Sequence, residues 1–222
     1  MRSASLRINF MKKFIPLCLV SAFISLSSPL LAKDYLADRI CSDDKRFSTF
    51  QTCFKLLEER NAKILVETGT ARNGVKNCAG DGCSTVLFAD WAKDHNATLF
   101  SVDIDPNAIA ESSEAVEHIN NMVQFITHDS IAFLRSFGQP IDFLYLDSYD
   151  YDFENPKPSQ MHHLCEIEAA LPFLHKNTIV MIDDCDLPHG GKGKLAISFL
   201  KSHGWHVLAS GYQTILIYPN QQ

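Results

Sequence analysis

Short apolar runs alternate along this chain with longer segments of helical period. The runs 64–67, 98–102, 122–127, 141–146 and 178–182 are four to six residues long and rich in β-branched or aromatic side chains. Such runs suit parallel strands covered on both faces. Helical segments are expected between and after them, at 84–92, 106–118, 131–137, 159–174 and 194–203. Ser84 or Thr85 and Ser159 are the expected N-caps, and Pro106 suits a first helical turn. Ahead of the first strand, Phe47, Phe50, Phe54 and Leu57 recur at intervals of three and four, which predicts an amphipathic helical segment within 34–60. The last two runs, 205–209 and 213–218, are separated only by Ser210-Gly211-Tyr212, so they must form an antiparallel hairpin. With right-handed crossovers this order predicts an α/β fold. It is a doubly wound, mostly parallel seven-stranded sheet with helices on both faces and a C-terminal antiparallel hairpin.

Polar positions at the strand ends carry the candidate chemistry. Ligands bind an open α/β sheet outside the carboxyl ends of its strands, near a switch in strand order. Four strands here end in an acid, Glu67, Asp103, Asp147 and Asp183, and Asp129 follows the remaining parallel strand just after His128. Glu67 leads into Thr68-Gly69-Thr70, where glycine allows a sharp turn. Asp103 can accept two hydrogen bonds from a ribose diol. Asp129-Ser130 can bracket an adenine edge, and Glu67 can neutralise an ammonium. Each of these residues is equally suited to cap a helix.

Asp147, Asp183 and Asp184 form a second group on neighbouring strands. Uncompensated carboxylates would repel, and a hard divalent cation such as Mg²⁺ or Ca²⁺ would relieve that repulsion; the alternative is that Asp184 caps and Asp147 only binds ligand. Beyond the pair lies His189-Gly190-Gly191-Lys192-Gly193. It reads either as a mobile lid carrying a base and a cation or as a turn with a solvated lysine. It is not a P-loop, because GxxxxGK[ST] is absent. His162 and Glu166 share a helix face, and His163 either enters the cleft or is structural.

Composition adds an address. Met11-Lys12-Lys13, an apolar stretch 14–26 and a small residue at Ala32 read as a cleavable signal peptide over 1–32, too short in its apolar part to span a membrane comfortably. The chain then divides into this leader, an N-terminal helical segment 33–60 and an α/β domain 61–222. Cleavage would remove Arg2, Arg7, Lys12 and Lys13 and no acid, moving the net charge from −6 to −10. So acidic a chain argues against nucleic acid or an anionic membrane as partner. Export, to a periplasm or the exterior, also suits the cysteines. Cys18 leaves with the leader and six remain, for which local pairs Cys41–Cys53, Cys78–Cys83 and Cys165–Cys185 are expected, with free buried thiols as the alternative.

The motifs also carry a family resemblance. Val66-Glu67-Thr68-Gly69-Thr70 resembles the first motif of the class I S-adenosylmethionine-dependent methyltransferases. Gly82-Cys83-Ser84-Thr85 resembles the Gly-x-Ser-Thr that normally follows almost at once, although here 71–81 intervene. Ser101-Val102-Asp103-Ile104-Asp105-Pro106 resembles the ribose-binding segment, and His128-Asp129-Ser130 the adenine-binding turn. The resemblance implies a cofactor site of Glu67, Gly69, Thr70, Ser84, Asp103, Ile104, Asp129, Ser130 and Asp147. The acids Asp147, Asp183 and Asp184 are similar to the metal ligands of cation-dependent small-molecule O-methyltransferases. The lysine base of that branch falls at Asp150 here, leaving His189 or Lys192 as base beside Asp147. The implied activity is methyl transfer from S-adenosylmethionine to a hydroxyl of a small molecule or sugar. A second reading is an exported, non-catalytic binding protein on a repurposed methyltransferase fold.

Overall fold

A computed structural model describes residues 33–119 and 121–219; the leader expected at 1–32 lies outside them. The elements follow the hydrophobic pattern in order. They are α1 (Phe47–Glu59), β1 (Ile64–Thr68), α2 (Cys78–Asp81), α3 (Ser84–His95), β2 (Thr98–Asp103), α4 (Pro106–Ala115), β3 (Val123–Thr127), α5 (Ser130–Arg135), β4 (Ile141–Leu146), α6 (Lys157–Ala170), β5 (Leu174–Ile182), α7 (Lys194–Ser202), β6 (His206–Ser210) and β7 (Thr214–Ile217).

The strands form one sheet in the order β3-β2-β1-β4-β5-β7-β6. β1 to β5 are parallel, and β7 runs antiparallel to both β5 and β6. This is the expected mostly parallel seven-stranded sheet with a closing hairpin. Its order reverses between β1 and β4, which places the switch point at the ends of those two strands.

Period-two alternation along the central strands feeds two apolar layers. Leu65, Phe143, Tyr145, Ile179, Met181 and Ile215 face one side, where they pack with Phe50, Phe54, Phe88 and Trp91 of α1 and α3. Val66, Leu144, Leu146, Val180, Ile182 and Leu216 face the other, against Ile167, Ala170, Ala196 and Leu200 of α6 and α7. The repeat Phe50, Phe54, Leu57 is the buried stripe of α1.

Several local expectations are corrected. Helix α1 begins only at Phe47, and 35–46 form turns. Ser159 lies inside α6 rather than capping it, since Pro156 starts the helix from an already helical backbone angle. Ser84 and Thr85 do not cap α3 either; Cys83, at φ 47°, precedes it, and both hydroxyls turn to Glu67 instead. Of the three local cysteine pairs, Cys78–Cys83 is a disulfide and the other four cysteines are free. Cys53 is buried in α1 while Cys41 is exposed, so those two thiols belong to different environments. Cys185 turns toward the carbonyl of Ile182 rather than toward Cys165 on α6.

Candidate active site

At the switch point the β1 turn and the end of β4 meet almost without clearance. Gly69 sits at φ +80°, and a Cβ there would fall 2.3 Å from the carbonyl oxygen of Asp147. The Asp147 amide donates to Thr68 (2.8 Å) and the Gly69 amide to Val102 (2.8 Å). Only glycine combines that backbone angle with that approach.

Beneath the turn lies Glu67, fully buried. Its carboxylate accepts from Ser84, from Thr85 (2.7 Å) and from Ser101 (2.8 Å). Burial pushes this acid up to about 7 against the pull of the three hydroxyls. Glu67 therefore ties β1 to β2 and to the start of α3, rather than standing open to an ammonium. The network continues through Thr70, whose hydroxyl meets those of Ser101, Thr85 and Ser112.

Asp103 closes the next strand. One oxygen accepts from the Thr70 amide (3.1 Å) and the other from the Asp105 amide (2.9 Å). Each carboxylate oxygen keeps a further lone pair for a ligand. Beside it Ile104 is 73% exposed, an apolar side chain held in the open at the mouth of the switch point. Asp129 caps α5 by accepting from the Ala132 amide (2.8 Å), as the capping alternative required. Ser130 is buried and meets His162 (3.1 Å). Below it Glu166 accepts from Ser148 (2.7 Å) and pairs with His162 (3.5 Å). His163 is fully buried with its Nδ1 on the Ser159 carbonyl, so it does not enter the cleft.

Beyond β4 and β5 a polar cavity of about 260 Å³ opens. Asp147, Asp183 and Asp184 converge on it, as expected, but a lysine stands among them. Lys192 Nζ lies 2.6 Å from Asp147 and 3.0 Å from Asp184, and its side chain is buried. Tyr145 donates to Asp183 (2.9 Å), and Arg46 approaches the same oxygen at 3.6 Å. The repulsion that called for a metal is thus relieved by internal cations. Among the described residues no group of His, Cys, Asp and Glu is arranged to hold a metal ion, and the trio Asp147, Asp183 and Asp184 does not fit one.

Two further expectations change. Burial alone would favour neutral Lys192, but Asp147 and Asp184 outweigh it and hold the ammonium well above its usual range. Lys192 is a fixed cation, not a base. The glycine-rich segment is no mobile lid. Gly191, Lys192 and Gly193 are buried, Gln160 donates to the carbonyls of His189 and Gly191, and a Cβ on Gly191 would lie 1.9 Å from the Asp184 carbonyl oxygen. His189 itself is exposed at φ 60° and does not line the cavity. Among the cavity acids Asp183 is pushed up to about 7, by burial and then by Asp147, and burial raises Asp147 as well. Asp184 is held below its usual range, since Lys192 and Tyr212 outweigh burial.

Sequence reasoning missed Arg46, Arg72 and Tyr212, which also line the cavity, and named Asp150 only as the position of the absent lysine base. Arg72 and Asp150 form a two-pronged pair at 3.1 and 2.7 Å.

Comparison with known proteins then bears on this site. Residues 79–185 match a family model described as a methyltransferase domain. That stretch runs from α2 to the acids after β5, and so covers Asp103 and the cavity acids. The methyltransferase fold also recurs among solved structures. SAH-bound methyltransferase PaMTH1 of Podospora anserina is similar over 78% of each chain, at 15% identity and a TM-score of 0.57. An O-methyltransferase from Bacillus cereus in complex with SAH covers 86% of this chain and 93% of its own, at 15% identity and a TM-score of 0.55. CalS11, a TDP-rhamnose 3'-O-methyltransferase of calicheamicin biosynthesis, covers 84% and 90%, at 13% identity and a TM-score of 0.54. No curated protein sequence matches this chain.

Proposed function

We propose that this chain is an S-adenosylmethionine-dependent methyltransferase acting on a hydroxyl of a small molecule or sugar. The observation that carries the reading is the switch point itself. Asp103, exposed Ile104 and the Gly69 turn stand together at the ends of β1 and β2, immediately beside a polar cavity. A diol-accepting carboxylate next to an open apolar side chain suits a nucleoside. The methyltransferase-domain match and the O-methyltransferases among similar folds support the class of reaction.

When bound, the cofactor supplies an electrophilic methyl group. The residues of this chain do the rest. Asp103 would hold the ribose, Ile104 would cover one face of the base, and Ser130 and the remaining oxygen of Asp129 would serve its edge. Asp147 and Lys192 orient the acceptor hydroxyl in the cavity, with the ammonium favouring negative charge on its oxygen. Asp183, near 7, accepts the proton. Proximity and alignment of the two reactants provide most of the acceleration.

Calorimetric titration of residues 33–222 with S-adenosylmethionine tests the reading. Micromolar binding is expected. Absence of binding by the folded chain would favour the exported binding-protein alternative, which the leader pattern and the Cys78–Cys83 disulfide support. We also propose export as the location, tested by the mass of the mature chain recovered from the periplasm or medium; a full-length product retained in the cytoplasm would oppose it.

A further inference from the structure

The cavity contains a cation that lies near its acids yet keeps two N–H groups without an acceptor. Arg46 precedes α1, outside the matched methyltransferase domain, yet reaches into the cavity and is only 4% exposed. Its position is fixed from several sides. Nη2 donates to the Gly80 carbonyl (3.1 Å), and the guanidinium carbon lies 4.5 Å from the centre of the Tyr212 ring. The loop makes room for it at Gly82, where a Cβ would be 3.0 Å from Arg46 Cδ.

Yet Nε and Nη1 are buried with no hydrogen-bond partner. The nearest carboxylates do not satisfy them. Asp44 lies 3.9 Å from Nη1. Asp183 lies 3.6 Å from Nε, too far for a hydrogen bond, and its two oxygens are drawn toward Tyr145 and the Asp184 amide. The other two cations of the cavity are engaged, Lys192 by Asp147 and Asp184 and Arg72 by Asp150. Buried N–H groups without acceptors are costly, and a planar guanidinium with open N–H groups matches a carboxylate.

We propose that Arg46 is a ligand-binding residue that receives a carboxylate in this cavity. That carboxylate is carried either by the amino-acid end of the cofactor or by an acidic acceptor. The first source rests on the cofactor reading above; the second does not.

The test compares S-adenosylhomocysteine with 5'-methylthioadenosine, which keeps the nucleoside and lacks the amino-acid end. Both are titrated calorimetrically into the wild-type chain and Arg46→Gln. If the cofactor is the source, Arg46→Gln weakens S-adenosylhomocysteine by about tenfold to a hundredfold, the worth of a charged hydrogen bond. Binding of 5'-methylthioadenosine stays unchanged, which also shows that the variant is folded. If both nucleosides bind the two proteins alike, benzoate is titrated into wild-type protein loaded with S-adenosylhomocysteine. A saturable shift of the Arg46 Nε–H resonance then assigns the carboxylate to the acceptor. No selective loss and no shift would overturn the proposal. Failure of the wild type to bind either nucleoside would instead sink the cofactor reading, and the benzoate titration on ligand-free protein would still decide the role of Arg46.

Discussion

Glu67 offers a quantitative test of how the switch point is held together. It is an acid with no exposure that accepts from three hydroxyls, and among the described residues no cation pairs with it. Folding moves it from an ordinary 4.5 to about 7, with burial the leading cause. Between those two pH values the folded chain keeps a proton that the unfolded chain has released. Stability from this group is therefore full below about 4.5, falls as pH rises through about 7, and levels off above it. At about 1.4 kcal/mol per pH unit, the loss is on the order of 3 kcal/mol. Glu67→Gln keeps the shape and one accepting oxygen, leaves the hydroxyl on the other side to turn and accept from the amide NH2, and removes the titration. Urea unfolding of both proteins from pH 4.5 to 8 should show the wild type losing about 3 kcal/mol more than the variant across that window. Asp183 titrates in the same range but is present in both, so it cancels in the difference. Parallel curves for the two proteins would refute the idea that Glu67 is buried as a mostly neutral, hydroxyl-bridging acid.

Other expectations concern the cavity and its loop. Lys192→Met removes the cation shared by Asp147 and Asp184 and should cost about 3–5 kcal/mol at neutral pH; thermal unfolding should show part of that recovered in acid, and an equal loss at all pH values would contradict the pairing. Asp103→Ala should weaken S-adenosylhomocysteine by about 3 kcal/mol, two hydrogen bonds to a charged group, by calorimetry; unchanged affinity would remove the ribose assignment. Replacing both Cys78 and Cys83 by serine should cost about 2 kcal/mol, the entropy of so short a closed loop. Reductant should lower the wild-type melting temperature and leave the variant's unchanged.

The fold was legible because strands buried on both faces leave contiguous apolar runs, and because Ser210-Gly211-Tyr212 is too short for anything but a hairpin. Helix starts were less legible. Ser159 and Ser84 have the right side chains for caps, but a cap depends on the backbone angle of the preceding chain, which neighbouring packing decides. At Asp129 the same inference held, since it accepts the expected amide of the first turn. The cysteines show a similar limit. Cys78 and Cys83 pair across a short loop, whereas Cys53 was already committed to the apolar stripe of α1.

The convergence of the acids could be read because strand ends share one edge of the sheet, whatever lies between them. What neutralises them could not. Lys192 reaches Asp147 only because Gly191 packs against the carbonyl of Asp184, and Arg46 arrives from a segment that precedes the sheet altogether. With carboxylates alone in view, a divalent cation was the natural counter-charge. Two immobile side-chain cations change the chemistry available there. A metal exchanges ligands, whereas Lys192 is held by two carboxylates and keeps its proton, so it can only orient and stabilise. Under the proposed function the proton goes to Asp183, a cavity acid that burial raises to about 7. Arg46, with N–H groups still open, is left as the cation that an incoming anionic group can claim.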